Sequence, residues 1–192
     1  IFDKFEESIF NGHTLSYPII GTEKNILSYN SNILHQFHKV NYRLDNLLIS
    51  VSGAIHHEEA VALAEKYFTG KRTTSNQKRK NFVKQFVNET TIEKEIQQVH
   101  SIVGRTTYGF NDPRRHKLKV LSTLLGDGSS SRLFQAVREK LGMTYQINTF
   151  LNSYLDVSAF GVYYSTNEKQ AGKVNEIVHR EFSKLRNIEV KP

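Results

Sequence analysis

An arginine and a tyrosine lie seven residues apart on either side of a glycine, in the stretch SSSRLFQAVREKLGMTY that ends at Tyr145. The apolar spacing predicts a helix that carries Arg138 in its last turn, and the residues from Tyr145 onward predict a strand. If the chain turns back at Gly142, both polar side chains emerge at one end of the sheet. A guanidinium can then bind a carbonyl or carboxylate through its forked donors, and a phenol hydroxyl can donate to a developing oxyanion.

The residue types of this pair by themselves favour a simpler interpretation. Arg138 would neutralise the carboxyl end of the helix, and Tyr145 would begin an amphipathic strand. The loop before the helix, GDGSSS at 126–131, resembles loops that bind anions at a helix N-terminus. Because it lacks the Gly-x-x-x-x-Gly-Lys-Ser/Thr spacing, its pattern alone predicts a serine-capped helix start.

The histidines do not form a recognisable metal motif. His35 and His38 share a face of a predicted helix, but no acid lies in the same turn to complete a site. The run His56-His57-Glu58-Glu59 lacks the second histidine of His-x-x-Glu-His, so it is interpreted as a helix N-terminus whose acids suit the helix dipole. With no cysteine in the chain, thiolate nucleophiles, zinc–thiolate sites and disulfides are excluded.

The net charge of +7 raises the possibility of an acidic partner such as nucleic acid. Six lysines and arginines without an acid lie between Lys71 and Asn88, in a polar stretch interpreted as a solvated linker. A nucleic-acid-binding module remains the alternative for this stretch. No apolar run approaches the roughly 20 residues of a membrane-spanning helix, and no signal peptide is recognisable, so we expect a soluble protein and leave its compartment open.

Helical and strand patterns alternate along the chain and predict an α+β fold. Strands are expected over 46–53, within 91–109 and on both sides of the loop NSYLD at 152–156, where they form a hairpin. Helices are expected near the N-terminus, after Asn30, after His56, after Pro113, over 131–141 and over 168–186. The hairpin indicates a partly antiparallel sheet, with helices packed on one face.

Two stretches of the sequence resemble segments of a known protein family. LLGDGSSSRLFQAVREKLGMTYQINTF closely resembles the segment Leu-Gly-Gly-Gly-x-Ser-Ser-Arg-Leu-Phe-x-x-Leu-Arg-Glu-x-x-Gly-Leu-Ala-Tyr of the M16 zinc peptidases, the relatives of pitrilysin, insulinase and the mitochondrial processing peptidase. NGHTLSYPIIGTEKNI and FHKVNYRLDNLLISVSGAI resemble the stretch that closes the first lobe of that family. The chain departs from the pattern at Asp127, in place of a frequent glycine, and at Met143-Thr144, in place of Leu-Ala.

The resemblance implies an arrangement of lobes. M16 proteins are built from α+β lobes of the LuxS and processing-peptidase type, which enclose a peptide-holding chamber. By resemblance, residues 1–72 are the tail of one lobe, 73–81 a polar basic linker, and 82–192 the head of the next lobe. This is the segment of the family often called the inactive domain.

The resemblance also implies which parts of the site this chain carries. In the family, zinc is held by the histidines of His-x-x-Glu-His and a later glutamate, all expected upstream of Ile1, so zinc belongs to the parent protein and this chain alone should cleave nothing. The substrate-contacting arginine and tyrosine of the family match Arg138 and Tyr145. The glycine–serine loop, with Gly126, Gly128 and Ser130, would lie beside the chamber.

The partners implied are a peptide or unfolded polypeptide substrate and the zinc-bearing lobe of the same or a partner chain. Two chains could also associate as a homodimer. Two roles fit the resemblance: a piece of an active M16 endopeptidase, or a non-catalytic, peptide-binding partner subunit. Neither role involves nucleic acid or a membrane.

Overall fold

The computed structural model describes residues 1–70, 80–83 and 89–188. The chain divides into two units, one made of Ile1–Ile19 with Asn81–Pro192 and the other of Ile20–Lys80. Most of the linker predicted at 73–81 lies outside the described residues. The lobe boundaries placed at residues 72 and 82 therefore stay predictions.

The first unit contains a three-stranded antiparallel sheet in the order β1-β3-β2. The strands are β1 (Val99–Tyr108), β2 (Gln146–Ser153) and β3 (Val157–Thr166). β2 and β3 form the predicted hairpin, and β3 is buried at every position because it lies between the other two strands. The α+β class and the antiparallel pairing predicted from the sequence are thus confirmed.

Six α-helices and three shorter helical segments accompany the sheet in the described part of the chain. The α-helices are α1 (Phe2–Ile9), α2 (Glu23–Ser28), α3 (Ser31–Asn41), α4 (His57–Tyr67), α5 (Arg115–Gly126) and α6 (Glu168–Asn187). The shorter segments are two 3₁₀ turns, Thr14–Ser16 and Leu44–Asn46, and a π-helical segment, Phe134–Glu139.

α5, the π-helical segment and α6 cover one face of the sheet and form the main core with it. Asn167 caps the N-terminus of α6, and its side chain accepts a hydrogen bond of 3.0 Å from the Gln170 N–H. Its buried side chains recur three and four residues apart, as an amphipathic helix requires. They include Val174, Ile177 and Val178, which the sequence predicted to point inward.

α1 lies on the opposite face of the sheet, whereas the sequence pattern placed the helices on one face. Gly104 of β1 and Gly161 of β3 are register partners. A Cβ added to Gly104 would lie 2.8 Å from the Phe5 ring, and one added to Gly161 would lie 2.7 Å from the Phe150 ring. The two glycines therefore leave the depression into which the aromatic rings of α1 and β2 pack.

The second unit contains α2, α3 and α4. α2 and α3 begin at side-chain caps, where Thr22 accepts from the Asn25 N–H and Asn30 accepts from the Ile33 N–H. The strand predicted over 46–53 is wrong, because the backbone there is not part of a ladder and Leu48 is 90% exposed. Alternation of apolar residues marks a segment that can pair, but a strand forms only when a neighbouring strand satisfies its backbone groups.

A buried carboxylate joins α6 to the start of the helix that follows the glycine–serine loop. The Glu181 side chain is 5% exposed, and it accepts hydrogen bonds of 2.9 Å from Arg132 and 2.7 Å from Lys184. Burial alone would raise the pKa of Glu181. The hydrogen bonds and charges of Lys184 and Arg132 outweigh burial and hold that pKa below its ordinary value.

Replacing Glu181 by glutamine is expected to lower the free energy of unfolding by about 1–2 kcal/mol at pH 7, a value discounted for the solvent exposure of both cations. Because the folded-state pKa lies below the unfolded value of about 4.3, the ion pairs stabilise the fold above that value. This stabilisation is lost as the pH falls through the folded-state pKa. Urea unfolding at several pH values should therefore show the difference between wild type and variant shrinking steadily as the pH falls below about 4.3.

Glu176, an exposed carboxylate on the same helix, provides the matched control. Glu176→Gln should leave the free energy of unfolding nearly unchanged across the same pH range. A difference between wild type and Glu181→Gln that does not depend on pH would contradict the ion-pair explanation.

Candidate functional site

The helix that carries Arg138 widens before it ends. The Lys140 N–H donates to the Gln135 carbonyl at 3.1 Å, five residues back, which is the π-helical pattern. Gly142 then adopts a left-handed φ of 58°, and its N–H donates to the Arg138 carbonyl at 3.0 Å. The chain therefore turns back at Gly142, as the sequence predicted.

The strand that follows is attached to the sheet by side chains before its ladder begins. The Thr144 hydroxyl lies 2.5 Å from the Ser165 carbonyl, and the Thr166 hydroxyl lies 2.5 Å from the Met143 carbonyl. The first ladder pair joins Gln146 to Ser165. Tyr145 lies between the attached residue Thr144 and the first ladder residue Gln146, and it is 79% exposed.

The structure brings Arg138 and Tyr145 together. The Arg138 guanidinium carbon lies 5.3 Å from the centre of the Tyr145 ring and 4.8 Å from the centre of the Phe134 ring. Among the described residues, Arg138 forms no ion pair and the Tyr145 hydroxyl has no hydrogen-bond partner. A forked cation and an uncommitted phenol donor are thus side by side at one edge of the unit. Their role as substrate contacts stays a prediction.

The glycine–serine loop differs in exposure from one end to the other. Gly126 is buried at the end of α5, where an added Cβ would lie 2.8 Å from the Thr149 nitrogen. Gly128 has a left-handed φ of 97°, and the Ser131 hydroxyl donates to its carbonyl at 2.7 Å. Gly128 and Ser130 are exposed. The packing of Gly126 fixes the start of the loop, whereas Gly128 and Ser130 are open to solvent.

Three residues at this site were not foreseen in these positions. The ring of Phe134 lies beside the guanidinium of Arg138, a contact that the sequence pattern did not indicate. Thr144 could have been noticed in the sequence, because Met143-Thr144 replaces the Leu-Ala of the family motif. Thr166 carried no signal, since its partner Met143 is distant in sequence.

The histidine-containing stretches do not assemble into a metal centre. Within residues 1–70, 80–83 and 89–188, no group of three or more histidine, cysteine or acidic side chains could hold a metal ion. His38 stacks on Tyr42 with ring centres 4.8 Å apart. His56 occupies the N-cap position of α4 without a side-chain capping bond, and the first turn contains Glu58 and Glu59, as the helix interpretation predicted. The described residues therefore do not fit zinc.

Among the described helices, none combines the length and the hydrophobicity that spanning a lipid bilayer requires.

A sequence profile described as the Peptidase M16 inactive domain matches residues 28–192. The chain belongs to the M16 peptidase family. The resemblance noted in the sequence is therefore confirmed, and the three-stranded sheet, α5, α6, Arg138 and Tyr145 lie within the matched region.

Relatives of this M16 chain are described as zinc proteases. It is 34% identical over 170 residues to an uncharacterized zinc protease of Rickettsia bellii, covering 86% of this chain and 40% of that protein. It is 30% identical over 189 residues to the uncharacterized zinc protease YmxG of Bacillus subtilis, covering 97% of this chain and 45% of that protein. The chain thus spans less than half the length of these relatives.

Solved structures share the fold of this M16 chain. A peptidase M16 inactive domain from Pseudomonas fluorescens matches with a TM-score of 0.87 and 20% identity, over 99% of this chain and 47% of that one. A protease from Helicobacter pylori gives a TM-score of 0.81 at 20% identity, over 98% and 47%. A chain of complex III2 from Candida albicans gives 0.83 at 16% identity, over 100% and 48%. At these identities the likeness concerns the fold.

Proposed function

We propose that this chain supplies the substrate-binding, zinc-free half of a peptide-hydrolysis site in an M16 endopeptidase. The observation that carries the proposal is the pairing of Arg138 with the exposed Tyr145, 5.3 Å from guanidinium carbon to ring centre. Among the described residues, the Arg138 guanidinium contacts only aromatic rings and neither group forms a side-chain hydrogen bond or ion pair that would compete with a ligand. Membership of the family, whose relatives are described as zinc proteases, supports the reaction class.

Each side chain has a distinct task in this proposal. Arg138 donates to a backbone carbonyl of an extended peptide, since a guanidinium presents several N–H groups in a fixed plane. Tyr145 donates its hydroxyl proton in a hydrogen bond to the oxygen that becomes negative when water adds to the scissile carbonyl. The cation beside the phenol further favours negative charge at that oxygen.

The exposed end of the glycine–serine loop is proposed to border the same bound peptide. Gly128 and Ser130 are exposed, so their backbone groups are accessible to an extended ligand. The side chain of Gln135 donates to the Ser129 carbonyl at 2.8 Å and joins the loop to the helix of Arg138. Gly126 supports this arrangement through its packing on β2.

The metal and the general base are proposed to belong to another part of the assembly. Because the described residues do not fit zinc, the metal ligands would come from the zinc-bearing lobe of the parent protein or of a partner chain. When bound there, zinc would polarise the carbonyl and activate water. The 192-residue chain by itself is therefore expected to bind peptide without cleaving it.

Cleavage of a quenched, unstructured peptide library tests this proposal. The full-length product of the parent gene, loaded with zinc, is expected to cleave the peptides, and a chelator should abolish cleavage. The 192-residue chain alone should not cleave them. A full-length protein that binds peptide but never cleaves would indicate the partner-subunit role. Absence of both binding and cleavage would overturn the proposal.

A further inference from the structure

Two buried threonine hydroxyls lie at the end of the sheet where Tyr145 emerges. Thr144 is 7% exposed and Thr166 is 2% exposed. The Thr144 hydroxyl lies 2.5 Å from the Ser165 carbonyl and 2.7 Å from the Gln146 carbonyl, so its one proton is shared between two acceptors. The Thr166 hydroxyl lies 2.5 Å from the Met143 carbonyl. Each threonine thus connects the strand that begins near Tyr145 with β3.

These hydroxyl bonds continue the attachment of the chain beyond the point where the ladder stops. The ladder between β2 and β3 begins at Gln146 and Ser165, so a further regular pair would join Tyr145 to Thr166. The side chains of Thr144 and Thr166 hold the adjoining backbone in place of that pair. Tyr145 is therefore free to project its ring into solvent, although the residues on both sides of it are fixed.

Met143 connects this attachment to the helix of Arg138. Its N–H donates to the Val137 carbonyl at 3.1 Å, and its carbonyl accepts from Thr166. The Val137 side chain is fully buried in the main core. The end of the helix, the start of the strand and the end of β3 are consequently joined through one residue, which restricts movement of Arg138 relative to Tyr145.

We propose that Thr144 and Thr166 are positioning residues that set the place of the Tyr145 hydroxyl relative to Arg138. The proposal rests on the function proposed above. Catalytic hydrogen bonds depend steeply on geometry, and a displacement of about 1 Å can cost on the order of a hundredfold in rate. Two buried hydroxyl bonds next to an exposed donor are the means by which this chain can keep that donor in place.

Substitution by valine and by serine distinguishes the contribution of the threonine hydroxyl from that of its branched shape. Valine keeps the branched shape of Thr144 but removes the hydroxyl, so the carbonyls of Ser165 and Gln146 lose that donor. Serine keeps the hydroxyl and loses a methyl group. We therefore expect Thr144→Val to lower kcat about tenfold with little change in KM, and Thr144→Ser to restore most of it. Thr166→Val and Thr166→Ser should behave in the same way.

A double-mutant cycle on the full-length protein distinguishes positioning from a general effect on folding. Once Tyr145→Phe has removed the donor, there is no hydroxyl left to position. Thr144→Val in the Tyr145→Phe background is therefore expected to cause no further loss in kcat. Ser158→Ala serves as the control, because it removes a buried hydroxyl, bonded at 2.6 Å to the Tyr108 carbonyl, from the opposite end of β3. It should lower the melting temperature without lowering kcat.

The possible outcomes have separate meanings. If Tyr145→Phe reduces kcat and Thr144→Val reduces it further by the same factor as in the wild type, the positioning role is wrong while the proposed function stands. If Tyr145→Phe leaves kcat unchanged, the proposed function fails and the positioning role fails with it. A loss in Thr144→Val that Thr144→Ser does not reverse, or that Ser158→Ala reproduces, assigns the effect to stability and overturns the inference.

Discussion

Replacing Tyr145 by phenylalanine in the full-length protein is expected to lower kcat about a hundredfold while KM changes little, if the proposed function holds. The substitution removes one hydroxyl and leaves the ring, which is 79% exposed and contacts the Arg138 guanidinium. The free energy of unfolding should therefore remain nearly the same. A donor that acts only on the developing oxyanion stabilises the transition state more than the bound substrate, so its loss appears in kcat.

Tyr67 provides a matched control for this substitution. It is 69% exposed and lies at the end of α4, in the other unit of the chain. Tyr67→Phe also removes an exposed phenol hydroxyl, and it should leave kcat and KM unchanged. Steady-state cleavage of a quenched peptide, together with thermal unfolding of each variant, checks both expectations. Equal activity in wild type and Tyr145→Phe would return Tyr145 to the simpler role of strand start.

Arg138→Ala is expected to reduce kcat/KM by roughly thirty- to a hundredfold, because it removes the charged hydrogen-bond donor that we propose for the substrate backbone. Part of the loss should appear in KM, since in the proposed role the guanidinium holds the peptide before the reaction as well as during it. Arg138→Lys should recover only part of the activity. An ammonium group keeps the charge but cannot reproduce the planar fork of donors.

Arg180, an exposed arginine on α6, is the corresponding control. Arg180→Ala removes one positive charge, as Arg138→Ala does. Kinetics of Arg138→Ala, Arg138→Lys and Arg180→Ala at two salt concentrations separate local binding from general charge effects. If Arg180→Ala weakens cleavage as much as Arg138→Ala does, long-range charge attraction explains the result and the specific contact is wrong.

Features of the fold that depend on nearby residues could be predicted from the sequence. The hairpin of β2 and β3, the inward face of α6 and the chain reversal at Gly142 all follow from patterns within a few residues. Gly142 is favoured at a helix end because its left-handed φ of 58° is costly for other residues. The motif around Arg138 and Tyr145 also indicated the family, which the profile match to residues 28–192 confirms.

The strand predicted over 46–53 shows that local patterns do not predict strand pairing. Alternating apolar residues describe what a segment could bury, whereas pairing depends on another strand whose position the local sequence does not encode. Within the described residues this segment is not part of any ladder, and Leu48 is 90% exposed. The position of α1 is a similar case. It depends on Gly104 and Gly161, which are paired on the neighbouring strands β1 and β3.

The sequence by itself determined the residue types of the candidate site, their spacing and the turn between them, because these are local properties of the chain. Only the tertiary structure decided the distance of 5.3 Å between the Arg138 guanidinium carbon and the Tyr145 ring centre. That distance depends on the π-helical widening before Lys140 and on the bonds that join Thr144 and Thr166 to partners 21 and 23 residues away. Contacts over such separations form only when the sheet and its helices have assembled, so no pattern of neighbouring residues specifies them.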